Sequence, residues 1–227
     1  MVVGSGGRHT CRPFFVTYNF VIILFAMDNR IELLRQIKNE VANLKQSPLY
    51  QERIKNKVFS VIGEGDNHAK IMFIGEAPGK NEAKTGRPFC GVSGEILDEL
   101  LVSVGISRKD IYVTNIIKDR PPLNRDPLPS EIEIYGPYLD RQIDIIKPKI
   151  IATLGRFSMD YVMRKFGLID NYTGQTSIGQ IHGKTFYAKV GYGKIKIIPL
   201  YHPAVAIYNR TRKDTLIKDF QVLKLVR

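Results

Sequence analysis

The chain has 227 residues, 44% of them hydrophobic and 25% charged, which suits one domain with a full hydrophobic core. A formal charge of +12 and a pI near 9.7 favour a polyanionic partner, because each Lys or Arg set on a phosphate releases counterions; a basic surface serving only solubility is the other reading. Two cysteines, Cys11 and Cys90, exclude a disulfide framework, a zinc cage or an iron–sulfur cage within one chain, and they point to a reducing, intracellular setting.

Residues 13–27 (PFFVTYNFVIILFAM) form the most apolar stretch, too short and too interrupted by Thr17, Tyr18 and Asn19 for a membrane span. No small-residue cleavage site follows it. Met27 reads as the true start, with 1–26 an upstream extension or a disordered apolar segment and 27–227 the folded domain.

From Asp28, a candidate cap, Ile31, Leu34, Ile37, Val41 and Leu44 recur at helical spacing. A basic connector, Gln51 to Lys57, follows. Lys70–Ile74 is a short buried strand, and Gly94–Val104 an amphipathic helix stopped by Gly105. Ile111–Ile117 is a second strand. The segment 118–129 (KDRPPLNRDPLP) holds four prolines and is irregular. Ser130 caps the next helix, which Pro148 closes. Then come a strand over Lys149–Leu154, a helix over Arg156–Phe166, a loop and β-hairpin within 170–194, a strand over Ile195–Tyr201 and a basic closing helix.

Strands alternating with helices predict an α/β fold: a single-domain α/β/α sandwich around a mostly parallel, four-stranded sheet. Sites in such sheets lie at the carboxyl ends of the strands. That selects the loops after Ile74, Ile117, Leu154 and Tyr201.

The first of these loops, Gly75-Glu76-Ala77-Pro78-Gly79-Lys80-Asn81-Glu82, fails the spacing of a phosphate-binding P-loop. It offers backbone amides and two carboxylates, Glu76 and Glu82. In isolation it would be a structural turn, Phe89 a core residue, Asn115 a turn-former and His202 a satisfied histidine. Their shared position at strand ends favours a site.

Taken in order, GEAPGKNEAKTGRPF, GVSGEILDELL, VTNIIKDRPPLNRDPLPSEI, KPKIIATLGRF and LYHPA closely resemble the family-4 uracil-DNA glycosylases, from about residue 30 to the C-terminus. The resemblance implies a DNA base-excision-repair hydrolase that flips uracil out of the helix and leaves an abasic site. Phe89 would stack on uracil, Asn115 would read its edge through N3–H and O4, and His202 would stabilise charge on O2. The backbone of Gly75, Glu76 and Ala77 would line the pocket. Ala77 stands where the wider superfamily has an aspartate that serves the water, so Glu76 is assigned that role, with Glu82 as second candidate. No metal is needed, since a carboxylate and a hydrogen-bond donor answer the two developing charges.

Expected DNA contacts are Ser93 and Gly94 at a helix N-terminus, then Lys118, Arg120, Asn124 and Arg125 in the proline-rich loop. Val205, Ala206 and Ile207 would wedge into the gap left by the base. The partner is uracil-containing DNA, single- or double-stranded, wherever the genome resides, with the protein a monomer off the membrane.

Family-4 members typically carry four cysteines on an iron–sulfur cluster. Here those positions are Leu44, Ser47, Asp119 and Tyr135. The expectation is a cluster-free variant in which Leu44 and Tyr135 fill the volume and Asp119 bonds Ser47 or pairs with a cation. Cys90 would be a small buried hydrophobe. A glycosylase with shifted base choice (hypoxanthine or a damaged pyrimidine) and a non-catalytic DNA- or partner-binding module are the alternatives.

Overall fold

The structure, a computed structural model, describes residue 1 and residues 28–169, 176–208 and 210–226. The apolar stretch at 13–27, Cys11 and part of the segment after residue 169 lie outside the described residues. In chain order the elements are α1 (Arg30–Ala42), α2 (Pro48–Asn56), β1 (Glu64–Gly65), β2 (Ile71–Gly75), α3 (Lys80–Thr85), α4 (Val92–Ser103), β3 (Ile111–Asn115), α5 (Pro129–Ile146), β4 (Ile150–Leu154), α6 (Arg156–Lys165), α7 (Ile178–Ile181), β5 (Phe186–Val190), β6 (Gly193–Leu200), α8 (Val205–Tyr208) and α9 (Arg210–Phe220).

The sheet order is β1-β3-β2-β4-β6-β5. The four expected strands form its parallel centre. Two antiparallel edge strands, β1 beside β3 and β5 beside β6, make it six-stranded. The expected hairpin therefore uses the last strand itself as its second arm. The short β1 was missed because Glu64-Gly65 has no apolar alternation, both residues being exposed.

Alternation along each strand feeds two cores. Met72 and Ile74 of β2 face one layer with α1, α5 and α6, while Phe73 faces the other with α4 and α9. Phe73 stacks on Phe220 of α9 with ring centroids 5.9 Å apart. No helix among the described residues is long and apolar enough to cross a membrane.

Local chemistry explains three boundary differences. The segment around 51–57 is helical because Ser47 caps α2, its Oγ accepting from Leu49 N at 3.1 Å, with Pro48 in the first turn. Helix α1 begins one residue beyond Asn29, and Asp28 Oδ1 accepts from Arg30 N at 3.3 Å. Helix α5 is capped by Leu128 rather than Ser130: Glu131 reaches back to accept from Leu128 N at 2.9 Å.

The four positions of the family's cluster ligands do converge, between α1, α2 and α5. Tyr135 is fully buried, and its hydroxyl lies 2.8 Å from Ser47 Oγ and 2.7 Å from Asp119 Oδ2. Arg53 Nε sits 3.3 Å from Asp119 Oδ1, while the same guanidinium donates to Ala42 O at 2.7 Å at the end of α1. Leu44 is buried alongside. This set does not fit an iron–sulfur cluster: it offers no thiolate, Leu44 has no donor atom, and the Tyr135 ring fills the space.

Burial raises the Asp119 carboxyl to about 6, against the opposing pull of the Tyr135 hydrogen bond and the Arg53 charge. With a raised native pKa, its contribution to stability is present at low pH and lost as pH climbs through about 6. Arg53→Met should lower the unfolding free energy by about 3–5 kcal/mol at neutral pH by leaving the buried carboxylate unpaired. The loss should shrink below pH about 6, where Asp119 is protonated. Urea unfolding at both pH values measures this.

Candidate active site

Parallel pairing of β2 with β3 sets Gly75 opposite Asn115 at the carboxyl edge of the sheet. The ladder continues past the strands, with Ile116 N donating to Gly75 O and Ile117 N to Glu76 O, both at 3.0 Å. A Cβ on Gly75 would lie 2.3 Å from Asn115 Oδ1 and 2.8 Å from the Phe89 ring. Glycine is thus required for the amide and the aromatic ring to face the same narrow space. Asn115 is 2% exposed, so its amide is withdrawn from solvent and held at the base of the site.

Phe89 sits in a left-handed backbone conformation, φ 50°. Its loop is held from three sides. Glu82 Oε1 accepts from Cys90 N and Gly91 N, each at 3.1 Å. Arg108 donates to Pro88 O at 3.1 Å. Gly94 packs so closely that a Cβ would lie 1.8 Å from Phe89 O.

His202, after β6, completes the wall, its ring centroid 5.8 Å from that of Phe89. Ala204 N–H donates to His202 Nδ1 at 3.2 Å, which leaves the proton on Nε2. Burial lowers the imidazole to about 4, despite Glu82 pulling the other way, so the ring is a neutral donor near pH 7. Gly155, φ 102°, lets β4 end against it; a Cβ there would come 3.3 Å from His202 Cβ.

These groups open onto a cavity of about 430 Å³ that Glu76 and Ala77 also line. The Glu76 carboxyl has no hydrogen bond or ion pair among the described residues. Burial first, and then the nearby Asp126 charge, raise its carboxyl to about 7, while Arg156 pulls it down. Asp126 and Arg156 form an ion pair, a neighbourhood with no motif to announce it.

The expected site residues thus divide. Gly75, Glu76, Ala77, Phe89, Asn115 and His202 come together at this cavity, and Glu82 joins them with one carboxylate oxygen already bound to the backbone beyond Phe89. Ser93 and Asn124 lie on its wall, and Arg120 holds Asn124 through Nε to Oδ1 at 2.7 Å.

Three assignments to DNA change. Lys118 is fully buried: Nζ donates to Asn115 O and Gln142 Oε1, both at 2.5 Å, and to Thr114 Oγ1 at 2.9 Å. It holds the backbone of Asn115 from the interior and cannot reach a phosphate. Gly94 is buried with its N–H on Gly91 O at 2.7 Å. Arg125, by contrast, stays on the cavity wall, its guanidinium held by the buried Glu131 through two hydrogen bonds, 2.9 and 2.6 Å. Val205 packs on the core, leaving Ile207 as the exposed side chain of that loop. Cys90 is exposed rather than buried, its thiol 3.2 Å from Thr85 Oγ1.

The chain belongs to the uracil DNA glycosylase superfamily, whose family model matches residues 62–224. Within it, the chain falls among the type-4 enzymes. It is 44% identical over 195 residues to the type-4 uracil-DNA glycosylase of Sulfurisphaera tokodaii, covering 86% of this chain and 84% of that one. The type-4 enzyme of Saccharolobus solfataricus is 46% identical over 200 residues, 87% and 86% of the two chains. That of Archaeoglobus fulgidus is 38% identical over 191 residues, 84% and 92%.

Lys118→Met should keep the volume and remove three donated hydrogen bonds. The expected loss is about 1–3 kcal/mol for each acceptor left unsatisfied in the interior. Denaturant unfolding of the purified variant measures it.

Proposed function

We propose that the protein is a monofunctional uracil-DNA glycosylase that hydrolyses the N-glycosidic bond of uracil in DNA and leaves an abasic site. The observation that carries this is the cavity lined together by the Asn115 amide, the Phe89 ring and His202, the first two closing over Gly75. It suits a flat ring that stacks on one face and presents a donor and an acceptor at its edge. The names of the type-4 relatives support the same substrate.

Cleavage leaves positive charge on the sugar and negative charge on the base. Neutral His202, with Nε2–H free to donate, stabilises the charge that collects on uracil O2. Asn115 holds the N3–H and O4 edge, and Phe89 stacks on the ring. Glu76, as carboxylate, steadies the sugar cation and positions the water whose hydroxyl joins C1′ while its proton balances the departing base. Glu82 serves as a positioning residue for the Phe89 loop.

Ser93, Asn124 and Arg125 at the mouth of the site, with Arg120 bound to Asn124, serve as the DNA contacts. We read the chain as acting without an iron–sulfur cluster, with Leu44, Ser47, Asp119 and Tyr135 packed in its place. Purified protein should contain no iron and show no visible charge-transfer absorption; stoichiometric iron would overturn this.

The test is single-turnover excision from oligonucleotides carrying U·G, U·A, single-stranded U or hypoxanthine. Strand cleavage only after alkali supports the monofunctional enzyme, and release of hypoxanthine in preference to uracil would shift the substrate. Glu76 gains its charge as pH rises through about 7, so the excision rate should climb through that range and level above it. His202 is neutral throughout and adds no second limb there. Glu76→Gln should abolish the rising limb and cost about 10²–10⁴-fold in rate. Full activity in that variant would remove Glu76 from the role.

A further inference from the structure

Leu123 is 93% exposed, the most exposed large apolar side chain among the described residues after Met1. It stands in a 3-10 turn over Pro122–Asn124, between two residues, Pro121 and Asn124, that line the cavity. Its backbone is left-handed, φ 55° and ψ 19°, and Asn124 repeats the left-handed φ of 55°. Asparagine tolerates that conformation; leucine there is strained.

The surroundings over-determine the strain. Asn124 N donates to Pro121 O and Arg125 N to Pro122 O, both at 3.1 Å. Arg120 clamps Asn124 from one side, and the Arg125–Glu131 pair anchors the other. A strained, braced turn that aims a bare alkyl chain into water at a pocket mouth calls for a function. Nothing in the fold uses the side chain.

The sheet order supplies the geometry. The loop after β3, which carries Leu123, and the loop after β6, which carries Ile207, enclose the cavity from opposite sides of β2 and β4. A flipped nucleotide leaves a gap in the stack that apolar side chains fill in other DNA-bending proteins.

We propose that Leu123 is an apolar wedge that enters duplex DNA beside the extruded nucleotide, facing the His202 loop across the site. The proposal rests on the glycosylase reading above. It assigns the apolar filling of the stack to the proline-rich loop, where the His202 loop offers only Ile207. Single-stranded DNA has no stack to fill, so Leu123 is a determinant of duplex action specifically.

The experiment compares wild type, Leu123→Ala, Leu123→Gly and Ile207→Ala. Excision from duplex U·A and from single-stranded U is followed under single turnover. Leu123→Ala should slow duplex excision about tenfold or more, on the scale of the unstacking cost, with a much smaller change on single strands. Leu123→Gly removes the backbone strain as well as the side chain, so an equal duplex defect assigns the effect to the wedge. Unchanged duplex rates, equal losses on both substrates, or a duplex defect confined to Ile207→Ala would overturn the proposal.

A second measurement is independent of turnover. A duplex with a non-cleavable abasic analogue beside 2-aminopurine should brighten when wild type binds, and brighten less with Leu123→Ala. If wild type excises nothing yet this difference appears, the excision reading fails and the wedge stands. If both proteins bind with equal emission, the wedge fails whatever the enzyme excises.

Discussion

The pairing of Gly75 with Asn115 is the constraint on which the site depends. Parallel register delivers both residues to the carboxyl edge of the sheet at the same height. The missing Cβ of Gly75 then lets the Asn115 amide and the Phe89 ring close on one space. Only backbone precision at this level can set an aromatic face and an amide edge against one cavity together. The buried Lys118 extends the same constraint inward, since its Nζ grips the Asn115 carbonyl and the α5 residue Gln142. Asn115 is thereby fastened to the helical layer behind it, and a disturbance in α5 has a direct path to the cavity.

Two titratable groups in one cavity are driven by the same desolvation in opposite directions, which separates their tasks. Burial makes the carboxylate of Glu76 costly and lifts it to about 7. Burial makes the imidazolium of His202 costly and lowers it to about 4. Near neutral pH one group is poised to change charge and the other is locked neutral. The Ala204 N–H contact settles which nitrogen of the imidazole donates. A neutral donor strengthens as charge develops on its acceptor and does not need an ion pair in the ground state.

The parallel strands and the residues at their ends were legible because buried strands read as apolar runs and their loops begin where those runs stop. Phe89, Asn115 and His202 were legible as members of ordered motifs. Lys118 was not. A cation in a proline-rich loop looks the same on paper whether it faces DNA, a glutamate or the interior, and only tertiary packing decides. Gly94 misled for a related reason: a glycine opening a helix fits phosphate binding, yet here it yields room to the Phe89 carbonyl. Helix α2 had a legible signal in Ser47-Pro48, obscured by the basic run behind it. The influence of Asp126 and Arg156 on Glu76 had no local signal, since their numbers are far apart and meet only across the mouth of the cavity.

The convergence of Leu44, Ser47, Asp119 and Tyr135 shows how differently a structural junction can be built. Metal–thiolate bonds impose a fixed geometry on the segments they join. Here the same segments meet through an aromatic ring that fills volume and a hydroxyl that touches two acceptors. Such a junction is directional but has a weakness that a neutral apolar one would lack. Asp119 and Arg53 are both buried, and each is the other's opposite charge, so removing one leaves the other an uncompensated buried ion. Asp119 also begins the run that leads through Arg120 to Leu123, and Tyr135 lies in the helix that the Arg125–Glu131 pair joins to that loop. The packing that stands at the cluster positions therefore braces the loop at the mouth of the site from both of its ends.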